Sequence, residues 1–348
     1  MQFDSLQFHN VREMRTVDDT DGSVLQRVPE DVRVELNDGA QERMRHPAGA
    51  EIRFVPDGPV SVTLSARVRE SSVRLFWGPF QSTETFAVGP EPTTLTVEFP
   101  EKLGRIDDDR VDELDFDPRV CRLRLPGEHR GGHVVYHGVE GDARPPRPDE
   151  LPSTRYLAYG TSITEGEAAL GEHLTYVGQA ATRLGADLLN LGSCGTAFCD
   201  AAISDYIAVR DDWDVATLSL SVNMVDRFSV EEFRERATYM VDTVAGAHPE
   251  KAIACITIYP NGRDFVAGVD DEGRCERFRE ALRDVVDETP HENVTLLEGP
   301  DLLDGIGGLT TDLTHPGDDA MIRIGENLAA RYDAASGRFV ADDGTRDR

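Results

Sequence analysis

Two hydrophobic rhythms divide this chain, and they restrict its fold more than any other feature. Up to about residue 142, apolar and polar residues alternate, as in Val32-Arg-Val-Glu-Leu36, Glu51-Ile-Arg-Phe-Val55, Val60-Ser-Val-Thr-Leu64, Thr94-Leu-Thr-Val-Glu-Phe99 and Val120-Cys-Arg-Leu-Arg-Leu125. A period of two puts every second side chain on one face, the pattern of half-buried strands. Pro56-Asp-Gly-Pro59, Gly89-Pro-Glu-Pro92 and Pro126-Gly-Glu128 separate them with turn chemistry. Short strands at this spacing predict an all-β sandwich or jelly roll over residues 1–142. From Thr154 onward the rhythm changes to short apolar runs alternating with helical stretches, the pattern of a parallel α/β sheet. Strands are predicted at 156–159, 187–191, 215–220, 252–258 and 294–297, with helices near 173–184, 229–247, 273–288 and 317–332. Between the rhythms lies Gly141-Asp-Ala-Arg-Pro-Pro-Arg-Pro-Asp-Glu-Leu-Pro152. Proline at that density predicts a stiff linker, 143–153, without regular structure. The second domain is then 154–335, followed by a polar tail, 336–348.

At 348 residues the chain is long enough for two domains, each with its own core. Its charge narrows the partners. Sixty-five acidic residues face 36 basic ones, for a net charge of −29, and only Lys102 and Lys251 among the basic residues are not arginine. Such a surface repels phosphate backbones and anionic lipid, so neither nucleic acid nor membrane is an expected partner. The composition resembles that of proteins from salt-loving organisms, where molar salt shortens the screening length to about 3 Å. Melting temperature is therefore expected to fall sharply from molar to millimolar salt; a flat profile would contradict this reading. The N-terminus shows neither a basic n-region nor an apolar h-region, and no apolar run approaches the roughly 18 residues of a membrane span. Cys121, Cys194, Cys199, Cys255 and Cys275 contain no C-x-x-C pair and read as reduced thiols of a cytoplasmic protein. Asp107-Asp-Asp109 reads as a solvated acidic loop rather than a calcium site. His133 and His137, four apart on an apparent strand, are too widely spaced for a metal pair, and no metal is assigned.

The chemistry gathers around Tyr156-Leu-Ala-Tyr-Gly-Thr-Ser-Ile-Thr-Glu-Gly166, a strand that runs into a tight turn and leaves the Ser162 hydroxyl at its carboxyl end. Ligands collect at that edge of open α/β sheets. A serine hydroxyl needs a base within hydrogen-bonding reach to become a nucleophile. His315, three residues after Asp312 in Thr311-Asp-Leu-Thr-His-Pro-Gly-Asp318, is the base candidate, with Asp312 able to hold the imidazole tautomer. Taken alone, an aspartate ahead of a helix with an incidental histidine explains D-x-x-H equally well. Acyl transfer also needs donors for a developing oxyanion. Asn190-Leu-Gly-Ser-Cys-Gly195 follows the second strand and can present a backbone N–H; Ser219-Leu-Ser-Val-Asn223 follows the third and brings an amide. Each also has a plain reading, as a turn glycine and a helix cap.

These four sites, in this order, resemble the SGNH (GDSL-type) hydrolase superfamily over about residues 154–332. Gly160-Thr-Ser-Ile-Thr164 stands where that family has its Gly-Asp-Ser-Leu block. The resemblance implies a three-layer α/β/α domain with a five-stranded parallel sheet. It implies Ser162 as nucleophile, His315 as base, Asp312 as its orienting acid, and Ser162 N–H, Gly195 N–H and Asn223 as the oxyanion hole, with no cofactor. Two departures stand out. Ser221-Val-Asn-Met224 replaces the usual Gly-x-Asn-Asp, so Asn223 loses a neighbouring carboxylate, and Cys194 precedes Gly195. Cys194 reads as packing rather than as a nucleophile, since no histidine flanks it.

A β domain ahead of such a domain looks like certain carbohydrate esterases and a related branch of acyltransferases. In Val73-Arg-Leu-Phe-Trp-Gly-Pro-Phe80, Trp77 and Phe80 are candidates for stacking on a sugar, against the plainer reading that they fill the core. The expected function is a serine esterase for short-chain esters, O-acetyl groups on a carbohydrate or similar polyol included. The alternatives are an acyltransferase using the same acyl-enzyme, and a glycan-binding protein with a silent second domain.

Overall fold

The computed structural model describes residues 1–16, 20–67, 70–126, 132–269 and 273–341. The turn expected at Gly127 and Glu128 and the end of the polar tail, 342–348, lie outside them. The chain clusters into two compact units: Met1–Asp31, Met44–Ser153 and Gly185–Asp187 in one, and Val32–Arg43, Thr154–Leu184 and Leu188–Arg348 in the other.

The first unit contains two antiparallel sheets. One runs in the spatial order Gln2–Phe3, Leu6–His9, Glu51–Pro56, Cys121–Arg124, Ser71–Trp77, Phe80–Val88, and the other Glu13–Thr16, Ser23–Gln26, Val134–Glu140, Val60–Ala66, Thr93–Val97. The period of two does what it predicts. Leu123 lies opposite Ile52 on one side and Leu75 on the other, and all three join Val62, Leu64 and Tyr136 in one buried core. The alternate residues of the same strands are charged yet also buried. Glu51, 4% exposed, accepts from Arg53 Nε and Arg122 Nη2, both at 2.7 Å. Burial would raise its pKa, but the Arg122, Arg53 and Arg124 guanidiniums outweigh it and hold the carboxyl well below the usual range. Arg122 also stacks 3.7 Å over Phe116, a contact suited to a planar guanidinium rather than an ammonium.

Several local expectations are overturned here. Val32–Leu36 is not a strand: after Pro29 the chain turns into the short helix Glu30–Arg33, whose acidic first turn suits a helix N-terminus. Asp108 and Asp109 open the helix Asp108–Val111 and, with Asp107, are exposed. His137 sits at a β-bulge and bonds Ser65 Oγ at 2.8 Å through Nε2, so strict alternation from His133 does not apply. The proline-rich stretch is ordered. Ala143–Arg144 pairs with Val55 and Pro56, and Pro148–Glu150 forms a 3-10 turn. Its anchor is Glu150, 2% exposed, which takes two bonds from Arg144 at 2.8 and 2.6 Å and one from Arg147 N at 2.7 Å. Burial opposes ionisation, but these donors prevail and bring the carboxyl to about 2.

The second unit is built on a five-stranded parallel sheet. In chain order its strands are Thr154–Gly160, Ala186–Gly192, Val215–Ser219, Ala252–Ile256 and Val294–Leu297, and in space they run second, first, third, fourth, fifth. The order reverses at the first strand, so a crevice opens at its carboxyl end, where Ser162 follows. The third and fourth strands are buried along their length, and the first from Tyr156 onward, and they read as near-continuous apolar runs. Helices pack in two groups, Tyr176–Arg183 with Asp318–Ala330, and Ala201–Val209 with Val230–Ala247 and Arg274–Glu288. Gly325 makes the first packing possible, because a Cβ there would lie 2.5 Å from Gln179 Cβ and 2.7 Å from Tyr176 O. The helix Ala201–Val209 does not show in the sequence pattern. Its residues, Ala-Ala-Ile-Ser-Asp-Tyr-Ile-Ala-Val, are apolar on most sides and give no polar face to reveal a helical period. No helix among the described residues is long and apolar enough to cross a membrane, and none of the five cysteines forms a disulfide.

Candidate active site

The first strand ends at Gly160, and Ser162 begins the four-residue helix Ser162–Glu165, closed by Gly166 at φ 113°. Two glycines let this turn form. A Cβ on Gly160 would lie 2.3 Å from Thr164 Oγ1 and 2.9 Å from Ser219 O; one on Gly192 would lie 2.2 Å from Glu165 N. The end of the second strand therefore presses directly on the backbone of the Ser162 helix. Asn190, fully buried beside it, ties the two together: its Nδ2 donates to Thr164 O at 2.9 Å and its Oδ1 accepts from Gly192 N at 2.8 Å. Tyr176 OH and Thr164 Oγ1, 2.8 Å apart, fix the helix from the opposite side.

Ser162 Oγ is 2.8 Å from His315 Nε2, and His315 Nδ1 is 2.7 Å from Asp312 Oδ2. A tight loop makes the second contact possible. Thr310 N bonds His315 O and Gly317 N bonds Gly308 O, both at 2.8 Å, and Leu313 takes φ 57° between them. This folds Asp312 back onto the residues that follow it. Its Oδ1 accepts from Thr310 Oγ1 and Thr314 N at 2.8 Å and from His315 N at 3.0 Å. Partial burial would raise the Asp312 pKa, but the His315 N–H and imidazole, the Thr314 N–H and the Thr310 hydroxyl outweigh it and hold the carboxyl well below its ordinary value. Asp312 is thus a permanent anion against Nδ1, which places the Nδ1 proton toward it and leaves Nε2 to accept from Ser162.

The three predicted oxyanion donors end the first three strands. Ser162 N–H and Gly195 N–H take no protein partner among the described residues, and Gly195 adopts φ 70°, a conformation suited to glycine. Asn223 does not lack support without a following carboxylate. Its Oδ1 accepts from Ala197 N at 3.2 Å, and among the described residues Nδ2 takes no protein partner. Met224 is fully buried, and Ser221 carries φ 92°, a backbone strain that a glycine there would not have. Cys194 is pushed up to about 12, by burial first and then by the Glu165 and Glu167 carboxylates, so at neutral pH it is a thiol and a poor nucleophile. Its backbone N–H bonds Glu165 Oε2 at 2.6 Å.

Ile163, Leu220, Val222, Ile258 and Tyr259, with Asn261 and Thr314, line a cavity of about 10 Å³; Ile163 follows Ser162 in sequence and Thr314 precedes His315, but neither Ser162 nor His315 lines it. Trp77 is elsewhere occupied: in the first unit it is 3% exposed and meets Phe99 edge-on at 5.3 Å, so its ring is not open to a sugar. Phe80 is 37% exposed. The sequence pattern singles out neither Glu165, Asn190 and Thr310 as supports, nor Asn37 and Arg43, whose bonds to the Ser193–Ala197 turn span more than 150 residues. Asn190 and Glu165 lie inside the two motifs themselves. Nothing in the spacing marks Asn37 or Arg43.

Residues 154–331 match the sequence profile of the GDSL-like Lipase/Acylhydrolase family. No curated protein sequence matches the chain. Among solved structures, a salicylyl-acyltransferase, SsfX3, from a tetracycline biosynthetic pathway superposes with a TM-score of 0.73 at 16% identity, covering 95% of this chain and 94% of that one. A putative GDSL-like lipase from Bacteroides ovatus gives 0.63 at 18% identity, with 86% and 88% covered. A family two carbohydrate esterase from Cellvibrio japonicus gives 0.61 at 12% identity, with 94% of each chain covered. At these identities the likeness is one of fold.

Proposed function

From the premise that this chain belongs to the GDSL-like lipase/acylhydrolase family, we propose that it hydrolyses short-chain acyl esters, O-acetyl groups on a carbohydrate or similar polyol being the class it suits best. It is a serine hydrolase of the SGNH type, and the observation that carries the reading is the continuous hydrogen-bonded relay from Asp312 through His315 to Ser162. In the proposed mechanism Ser162 Oγ attacks the ester carbonyl while His315 Nε2 takes its proton. The carbonyl oxygen becomes an oxyanion against Ser162 N–H, Gly195 N–H and Asn223 Nδ2. His315 then returns the proton to the leaving alcohol, and a water activated by the same imidazole releases the acid from Ser162. No step calls on a cofactor.

The small cavity supports a short acyl group. At about 10 Å³ it has room for a single small group the size of a water molecule, and its lining residues Ile163 and Thr314 neighbour Ser162 and His315 in sequence, which supports a methyl-sized acyl group over a long chain. Carbohydrate comes into the reading through the family two carbohydrate esterases that share the fold. The likeness to a salicylyl-acyltransferase supports transfer as the second reading, with an alcohol or amine in place of water.

Nitrophenyl acetate, butyrate and octanoate, assayed in molar salt, test this. Acetate is expected to be cleaved fastest, with kcat/KM falling about tenfold or more at butyrate, since a misfitting methylene costs about 1–3 kcal/mol. Faster cleavage of octanoate would overturn the short-chain assignment, and no turnover of any ester would overturn hydrolysis altogether. Added alcohol acceptors that capture most of the acyl group, at the expense of free acid, would replace hydrolysis by transfer.

A further inference from the structure

The turn that carries Gly195 is held from outside by a segment far upstream in the chain. Val32–Arg43 clusters with the α/β unit although it precedes most of the β strands. Its helix Asp38–Arg43 follows Asn37, whose Oδ1 accepts from Ala40 N at 3.1 Å. From its last residue, Arg43 Nε donates to Cys194 O at 3.1 Å. From its start, Asn37 Nδ2 donates to Thr196 O at 3.0 Å and to Asp200 Oδ2 at 2.7 Å. Between them Gly39 lies so close to Thr196 that an added Cβ would stand 2.3 Å from Thr196 Cγ2.

Peptide planarity gives these bonds a consequence. The carbonyl of Cys194 and the N–H of Gly195 belong to one trans peptide and point in opposite directions. Holding the oxygen with a guanidinium therefore aims the N–H the other way and polarises it as a donor. The same holds two residues on: the peptide whose oxygen Asn37 takes is the one whose N–H, on Ala197, fixes Asn223 Oδ1. A glycine at φ 70° with open space around it does not hold its own orientation. Glu165 holds the other side of Cys194 through its N–H.

We propose that Arg43 and Asn37 are positioning residues for the oxyanion hole: Arg43 orients the Gly195 N–H and Asn37 orients Asn223 by way of Ala197. This rests on the esterase reading above, with Ser162 as nucleophile. Neither side chain is asked to touch substrate. Because both act through the donors to the charge-bearing oxygen and not on the acyl group, they affect kcat and leave KM almost alone.

The experiment uses the full chain in molar salt with nitrophenyl acetate, and compares Arg43→Met, Arg43→Lys, Asn37→Ala and Gly39→Ala with wild type, Ser162→Ala and Asn223→Ala. Arg43→Met keeps the packing of the stem and is expected to lower kcat about tenfold at a KM within twofold, less than the 10²–10³ of removing a donor outright, expected of Asn223→Ala. Arg43→Lys, which still donates to a carbonyl, is expected to recover most of that loss, a recovery that a purely structural role would not produce. Gly39→Ala, which pushes on Thr196 without removing a bond, is expected to lower kcat as well. If Arg43→Met and Asn37→Ala keep kcat within twofold of wild type while Ser162→Ala is inactive, the positioning roles are wrong and the esterase reading stands. The positioning roles are equally wrong if Arg43→Met loses activity together with its melting transition and Arg43→Lys does not restore it. Activity persisting in Ser162→Ala overturns the esterase reading instead.

Discussion

Ser162→Ala is expected to lower kcat on nitrophenyl acetate by at least about 10⁴-fold while leaving the protein folded. The size of the loss follows from what Oγ does in the proposed reaction. It is the atom that forms the acyl bond, and no neighbouring group can take its place. Cys194 carries the nearest thiol in sequence, but it is held protonated to about 12 by burial and by two carboxylates. A water poised by His315 could still attack a bound ester directly, which sets the residual rate above the uncatalysed one. Folding should hardly notice. The variant loses one hydroxyl in a partly open site and its bond to His315, a change of about 1 kcal/mol. Steady-state rates and a melting curve on the same preparation check both halves. A kcat within tenfold of wild type would remove Ser162 from the chemistry, and the relay to Asp312 would then need another explanation.

How much of this arrangement the sequence discloses depends on the range of the interactions involved. The strands of the parallel sheet are legible because burial on both faces leaves near-continuous apolar runs such as those at Val215–Ser219 and Ala252–Ile256. Ser162, Gly195, Asn223 and His315 are legible because each closes or follows such an element in a recurrent order. The helix Ala201–Val209 is not, since a segment apolar on most sides carries no period. Nor is the helix Glu30–Arg33, where an alternating pattern nearby reads as a strand and the proline and acidic first turn win locally. The order in the proline-rich stretch comes from Glu150, a residue whose value lies in Arg144 folding back on it. Asn37 and Arg43 are the extreme case: the bonds by which they hold the Gly195 turn go to backbone carbonyls more than 150 positions away, and a carbonyl has no letter in the sequence. Support for Asn223, sought in the carboxylate that Met224 replaces, comes instead from a backbone N–H across the site.

Asp312→Asn is expected to cost nearly as much as the loss of Ser162 itself, about 10⁴-fold in kcat, although it changes one atom and keeps the side chain's shape. The amide oxygen of the new side chain can still accept from Thr314 N and His315 N, as Asp312 Oδ1 does, so the loop has reason to keep its fold. The second position decides the outcome. Where Oδ2 now accepts from His315 Nδ1 at 2.7 Å, an NH₂ group would donate. The imidazole can satisfy that donor only by placing its own proton on Nε2. Nε2 would then face Ser162 Oγ as a donor and could not take the serine's proton, so the nucleophile would be present and unactivated. Substrate contacts are untouched, so KM should change little. The prediction separates two roles for Asp312. If it served only to hold the loop, asparagine would preserve most of the activity and alanine would not; if it sets the tautomer, both are nearly inactive, and Asp312→Asn retains the wild-type melting temperature while it is. Rates and melting curves of the two variants, measured side by side, distinguish these outcomes, and an active Asp312→Asn would mean that His315 finds its orientation without the carboxylate.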